Sequence, residues 1–372
     1  MTADHRAGRL ERVRAALAER DTDALLLGPS ADYRWLLGYE PPGLERLTML
    51  IVSAAGDDHL VVPALEAPLA IEHLGDLGVK VLAWQETEDP IALVVGALAA
   101  AGSASQSRLA VGDHLFATFL LRLQAAMPSA RYTTGSVVTG PLRRIKDQAE
   151  IDALARAGAA IDAVVDRLGE WVVPGRAERD VAADLDVAIR AAGHEQTNFT
   201  IVGSGPNGAS PHHIAGHRVI QPGDAVVIDI GGRVDGYCSD TTRTLVVGEP
   251  PEGFAELYEV LRTAQAAGCD AVRPGVTAAS VDAACRDIIT EAGYGESFIH
   301  RTGHGIGLEE HEDPYLVGGN CEPLAPGHAF SIEPGIYLAG EVGARIEDIV
   351  IATDDGPEPL NLVTHDLVVV DA

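Results

Sequence analysis

The second half of the chain repeats itself at an offset of one hundred residues, and this repeat constrains the fold more than any other feature. Pro174-Gly175 falls on Pro274-Gly275, Val181 on Val281, Ala183 on Ala283 and Ile189 on Ile289. Ala192-Gly193 then falls on Ala292-Gly293, and Gly203 and Gly205 fall on Gly303 and Gly305. The matches keep their order without a gap, which duplication explains better than chance. Each copy predicts a turn, a helix closed by Gly, a short strand and a glycine-rich loop. The loops end in histidines, His212-His213 in the first copy and His311 in the second. A pair of strands follows each loop and carries two carboxylates, Asp229 and Asp240, then Glu333 and Glu347. Two such halves facing each other would set four carboxylates around a pseudo-twofold axis.

An Asp inside VVIDIGG, residues 226–232, is costly to bury unless a charge partner or a proton compensates it. The same oddity recurs at Ser239-Asp240-Thr241, at FSIEPG around Glu333 and at ARIEDIV around Glu347. Any one of these alone reads as a hydrogen-bonded core residue. Four together at close range need protons or cations, and two divalent ions would cancel them. HRTGHGIGLEEHE, residues 300–312, adds His300, His304 and His311. A lone histidine there would read as structural; three beside a carboxylate cluster point to ligand and acid–base work. The glycines flanking His304 suggest a close backbone approach to the site. An oxygen-rich set with one imidazole suits Mn, Co, Fe or Zn, and no cysteine is placed to contribute.

The 372 residues exceed one typical core and divide at a turn signal, Thr139-Gly140-Pro141, into 1–140 and 141–372. The first part alternates strand and helix patterns, an α/β texture without visible chemistry, fit for packing, oligomerisation or one wall of a cleft. Strands are expected at Ala24–Leu27, Met49–Val52, Leu60–Val62, 79–82 and 108–112, with helices at Leu10–Leu17, 66–75, 90–101 and 114–126. A long amphipathic helix, LRRIKDQAEIDALARAGAAIDAVVDRL, is expected to open the second part. The formal charge of -28 argues against nucleic acid or an anionic membrane as partner. Cys238, Cys269, Cys285 and Cys321 have no framework spacing and read as thiols of a reducing compartment. The charged start lacks a signal peptide's apolar run, and Ile91–Gly102 is too short to span a bilayer, so the expected location is cytoplasmic.

The motif series SGPNGASPHH, IDIGG, SDTTRT, HRTGHGIGLEEHE, SIEPGIY and ARIEDI resembles the pita-bread metallopeptidases, specifically Xaa-Pro aminopeptidases and prolidases. The similarity covers 141–372, and residues 1–140 resemble, more weakly, the creatinase-type N-terminal domain found with these enzymes. The resemblance implies an α/β (α+β) fold, a duplicated pita-bread catalytic domain preceded by a creatinase-like domain. It implies two divalent metal ions, manganese first. Asp229 would bind one ion, Asp240 and Glu347 would bridge both, and His304 with Glu333 would complete the second. His212, His311 and His300 fall on active-site histidines. Arg345 precedes Glu347 by two on a strand, so it faces the same way and would steady that carboxylate or contact substrate. The implied substrates are proline-containing dipeptides or short peptides, in a homodimer. Dipeptidase and aminopeptidase action both stay open. The competing readings are a methionine aminopeptidase on the same fold, a non-catalytic pita-bread binding protein, and a metal-free C–N hydrolase of the creatinase kind. The sizeable first domain favours the proline branch, and the complete ligand set disfavours the two metal-free readings.

Overall fold

A computed structural model describes residues 3–102 and 106–372; Met1 and Thr2 of the charged start lie outside it. The chain divides into two units, Met1–Arg143 and Arg144–Ala372. Among the described residues no helix is long and apolar enough to cross a membrane.

The first unit runs α1 (Ala3–Glu19), β1 (Ala24–Leu27), α2 (Ala31–Leu37), β2 (Met49–Ser53), β3 (His59–Pro63) and α3 (Ala67–Leu74). It continues through β4 (Lys80–Trp84), α4 (Pro90–Ala100), β5 (Arg108–Val111), α5 (Ala117–Ala126), β6 (Arg131–Thr134) and α6 (Ser136–Arg144). The strands form one mixed sheet in the order β4-β3-β2-β1-β5-β6. Leu26, Met49, Ile51 and Val61 pack there against Val94, Leu98 and Leu123 of α4 and α5. α2 escapes a search for periodicity because nearly all of its seven residues are buried. Its ends are legible instead: the Ser30 side chain accepts from the Tyr33 amide, and Gly38 closes it at φ 81. The turn expected at Thr139-Gly140-Pro141 is not a turn. It lies inside α6, where burial of Val138, Thr139 and Arg143 outweighs the local Gly-Pro signal.

The second unit starts later as a helix than the sequence suggests. Lys146 donates its amide to Gly327 and Ile145 bridges His328, so the chain is extended there. Asp147 then caps α7 (Gln148–Val165) through a capping box with Glu150. After α7 come α8 (Glu178–Ala191), β7 (Gln196–Ser204), β8 (Ala225–Val234), β9 (Tyr237–Val247), α9 (Phe254–Ala271) and α10 (Ala278–Glu291). β10 (Gly303–Gly305), β11 (Glu312–Leu316), β12 (Ala329–Ile332), β13 (Gly335–Leu338), β14 (Val342–Arg345), β15 (Asp348–Thr353), β16 (Gly356–Pro359) and β17 (Val368–Val370) follow. They build three sheets, β17-β9-β8-β7, β11-β10-β12-β15-β16 and the hairpin β13-β14.

The repeat is physical. Gly175 and Gly275 sit at φ 89 and 86, a region that favours glycine, and donate their amides to Ile220 and Leu324 at 2.9 and 2.8 Å. α8 and α10 each have fourteen residues and are capped by alanines, Ala192 and Ala292, of identical φ and ψ, followed by left-handed Gly193 and Gly293. In the first half Val226, Ile228 and Ile230 of β8 face Val181, Leu185 and Ile189 of α8. In the second half Phe330 and Ile332 pack in one core with Val281 and Ile289 of α10. Strand alternation therefore turns Asp229 away from the helices.

The strand registers refine the carboxylate pairing. β8 and β12 both begin on alanine, Ala225 opposite Val246 and Ala329 opposite Ile351. Counting along both ladders makes Glu333 the counterpart of Asp229. Gly231 faces Asp240 and Gly335 faces Arg345, so the counterpart of Asp240 is Arg345, not Glu347. Glu347 instead matches Thr242, which faces Asp229.

Candidate metal centre

All nine residues singled out in the sequence line one cavity of about 910 Å³: Asp229, Asp240, His304, Glu333 and Glu347, with His212, His300, His311 and Arg345. Asp229 comes from β8 and Asp240 from β9, joined by a tight turn with both central residues, Asp235 and Gly236, at positive φ. His304 is the middle of β10, Glu333 follows β12, and Glu347 lies between β14 and β15.

Asp229, Asp240 and Glu347 are buried, the last two only 4% and 1% exposed, and Glu333 is half-buried beside them. Donor atoms of Asp240, His304 and Glu347 all lie within 4.8 Å of one another. Burial, then Glu347, Asp229 and Glu333, pushes the Asp240 carboxyl well above the usual range. Burial, then Glu333 and Asp229, does the same to Glu347. Burial raises Glu333 to about 7, although Arg345 opposes it. One guanidinium is too little compensation. Arg345 donates to Asp229 Oδ2 at 2.5 Å, to Tyr337 Oη at 2.7 Å and to Thr242 Oγ1 at 3.0 Å. It thus grips Asp229 across the two halves and reaches Glu347 only through Thr242, whose hydroxyl donates to Glu347 Oε2 at 2.6 Å.

Two oxygens decide whether a metal fits. Asp229 Oδ1 and Glu347 Oε1 are buried and accept no hydrogen bond from the protein. Each would cost about 1–3 kcal/mol or more if left bare. His304 supplies the matching nitrogen. Its Nδ1 donates to the Gly305 carbonyl at 3.1 Å, which leaves the Nε2 lone pair aimed at Glu333 Oε1, 3.3 Å away, and Asp240 Oδ2, 3.7 Å away. Burial lowers the ring to about 3, so it is neutral. Anionic oxygens, two of them orphaned, around a neutral imidazole fit a divalent ion.

The glycines beside His304 serve a different end from the one expected. A Cβ at Gly303 would meet the Ser331 carbonyl oxygen at 1.9 Å, and one at Gly305 the Asp313 carbonyl oxygen at 2.3 Å. They let β11 and β12 close on β10, and so bring Glu333 to His304. The four thiols are free, and none lines the cavity.

His212, His300 and His311 line the cavity beside the carboxylates. His311 meets the His304 ring edge-on at 4.0 Å between centroids. Burial, then Arg301, lowers the His311 ring below its ordinary value. His300 donates from Nδ1 to the Arg301 carbonyl at 2.7 Å, so its Nε2 accepts from the Tyr337 hydroxyl at 2.9 Å. The result is a directed chain, Arg345 to Tyr337 to His300. Sequence reasoning missed Tyr337 and Thr242. Both stood inside quoted motifs: Thr242 lies two residues from Asp240 on β9, the spacing that puts side chains on one face, and Tyr337 closes SIEPGIY four residues after Glu333.

Comparison with known proteins agrees with this geometry. Residues 152–354 match the metallopeptidase family M24, and residues 9–145 match the creatinase/prolidase N-terminal domain. The probable dipeptidase PepE of Mycobacterium bovis is 48% identical over 366 residues, spanning 98% of this chain and 96% of that one. The Xaa-Pro dipeptidase of Lactobacillus delbrueckii subsp. lactis is 34% identical over 363 residues, spanning 96% of this chain and 98% of its own. The crystal structure of dipeptidase PepE from Mycobacterium ulcerans superposes with a TM-score of 0.94 at 47% identity, covering 100% of both chains. On these matches the chain belongs to the metallopeptidase family M24.

Proposed function

We propose that this protein is an Xaa-Pro dipeptidase that holds two divalent ions, manganese foremost, and works as a cytoplasmic homodimer. Residues 141–372 carry the reaction, and 1–140 form the creatinase-like domain that accompanies it. The observation that supports this most is the pair of orphaned buried oxygens, Asp229 Oδ1 and Glu347 Oε1, in a cavity lined by four carboxylates. The names of the relatives above point to dipeptides as substrates.

Asp229, Asp240, Glu347, His304 and Glu333 would hold the ions. Bound there, divalent ions supply Lewis-acid activation of water at neutral pH. The chain's own groups do the rest. The carboxylates attract the substrate's free amino group. Phe199, Ile201 and Ile299 give the same cavity an apolar side against which a proline ring can pack. Glu333 takes a proton from the attacking water and delivers it to the proline nitrogen as the C–N bond breaks. His212 and His311 donate hydrogen bonds to the carbonyl oxygen as it gains charge. Arg345 fixes Asp229, and the Tyr337–His300 chain fixes Arg345 in turn.

Rates on Ala-Pro, Ala-Pro-Ala and Met-Ala-Ser with Mn, Co or Zn test this reading. It requires Ala-Pro to be cleaved fastest and a chelator to stop turnover. Preference for Ala-Pro-Ala would make the enzyme an aminopeptidase, and preference for Met-Ala-Ser would move it off the proline branch. Activity that survives a chelator would refute the metal mechanism.

A further inference from the structure

Glu178 opens α8 and has no exposed surface. Among the described residues no metal ligand and no arginine makes direct contact with it; six hydrogen bonds hold it, and Arg218 reaches it only through the Ser204 hydroxyl. Oε1 accepts from the Ser204 amide at 2.8 Å, the Ser204 hydroxyl at 2.7 Å and the Asn207 amide group at 3.0 Å. Oε2 accepts from Asn207 at 3.1 Å, His213 Nε2 at 2.8 Å and the Gly216 amide at 3.3 Å. These donors come from the start, middle and end of the loop 204–216, which carries His212. Among the described residues His212 makes no side-chain hydrogen bond, so its backbone neighbours set its place. One neighbour, His213, is tied to Glu178; the other, Pro211, receives a long 3.5 Å contact from Arg345.

The second half solves the same problem with Asp282 of α10. Its Oδ1 accepts from the Thr302 amide and hydroxyl at 3.1 and 2.8 Å, beside the strand that carries His304. Both halves thus pin a histidine-bearing segment by giving a Ser or Thr amide and hydroxyl to a buried helix carboxylate. Repetition of the device makes the Glu178 arrangement more than incidental packing.

We infer that Glu178 is a positioning residue, a carboxylate anchor that clamps the loop 204–216 and so holds His212 in place for catalysis. The inference rests on the role given to His212 in the proposed function. A Glu178→Gln substitution keeps the shape but turns an NH2 group towards donors that need an oxygen.

The test is a double-mutant cycle between Glu178→Gln and His212→Ala, with kcat, KM and metal content read for each variant. Glu178→Gln should bind metal as the native protein does and lose about 10- to 100-fold in kcat with KM changed much less. In the His212→Ala background the same substitution should cost less than about twofold, because the group it positions is gone. Equal losses in both backgrounds, or native kcat in Glu178→Gln alone, would overturn the anchor while leaving the site assignment intact. Native activity in His212→Ala would overturn the role of His212 and the anchor together. Should Glu178→Gln fail to fold, His213→Ala replaces it in the same cycle. That change removes one tether from a side chain that is 20% exposed. It must show a smaller loss that again vanishes without His212, and a loss that persists counts against the anchor.

Discussion

The two halves of Arg144–Ala372 share a backbone plan and differ in the charges they hang on it. At register-equivalent positions the first half has Asp229, Asp240, Thr242 and Arg243; the second has Glu333, Arg345, Glu347 and Asp348. One position kept its sign, two were reversed, and one became charged. The reversals are used. Arg345 of the second half holds Asp229 of the first, and Arg243 of the first holds Asp348 of the second at 2.7 Å. A symmetric dimer of such halves could not place a cation against its own anion at both positions. Duplication kept the turns and helix caps, and divergence of side chains made the halves bind each other and built one asymmetric site between them.

The most severe way to break this pairing is at the carboxylate the first half sends deepest. Asp240→Ala should abolish metal binding and cut kcat/KM by about 10⁴-fold or more, a loss above about 5 kcal/mol. Metal analysis beside turnover checks it, and near-native activity would refute the site. Next is the reversed pair outside the cavity. Arg243→Met leaves Asp348, 1% exposed, with only Gln265 and His365 as partners, and should destabilise folding by about 3–5 kcal/mol in denaturant melts. A change under about 1 kcal/mol would mean that the cross-half ion pair does not bind the halves together.

His311→Ala probes the half that carries most of the histidines. It removes no proposed ligand, so metal content should stay native while kcat falls about 10²- to 10³-fold. An unchanged rate would remove its role. The mildest effect is a pH dependence at His328, which forms the bridge with Ile145. Burial, then Arg144 and Lys146, lowers this ring from 6.5 to about 4. Between those values the unfolded chain binds a proton that the folded protein refuses, so stability falls as pH drops through that window. His328→Gln should flatten that part of the stability–pH curve, and an unaltered slope would contradict the assignment.

Much of this was readable before any coordinates. The duplicated plan was legible because Gly175, Gly193, Gly275 and Gly293 occupy positions where φ is positive and few residues substitute. The buried carboxylates were legible because an acid in a Val-Ile strand is anomalous wherever it appears. Strands β1 to β5 and helices α3 to α5 announced themselves through apolar runs. What stayed hidden depends on contacts distant in sequence. α2 and β6 lack a contrasting polar face or a strong apolar run, and Pro141 sits within α6, a helix held in place by burial of Val138, Thr139 and Arg143. The true counterparts of Asp240 and Glu347 follow from strand register. Linear spacing cannot give that register once the connections between strands differ in length. The Arg345–Tyr337–His300 chain joins three segments, and only the folded protein brings them within hydrogen-bond reach.

Bound cations are what let the crowded anions of this pocket stay together. Manganese titrated calorimetrically into metal-stripped protein, at neutral pH in two buffers of different ionisation enthalpy, tests it most directly. Saturable binding that releases protons into the buffer is the predicted result, because carboxyls with raised proton affinity must give up their protons to the ion. Absence of saturable binding, or binding that persists undiminished when Asp240 and Glu347 are both replaced by alanine, would contradict it.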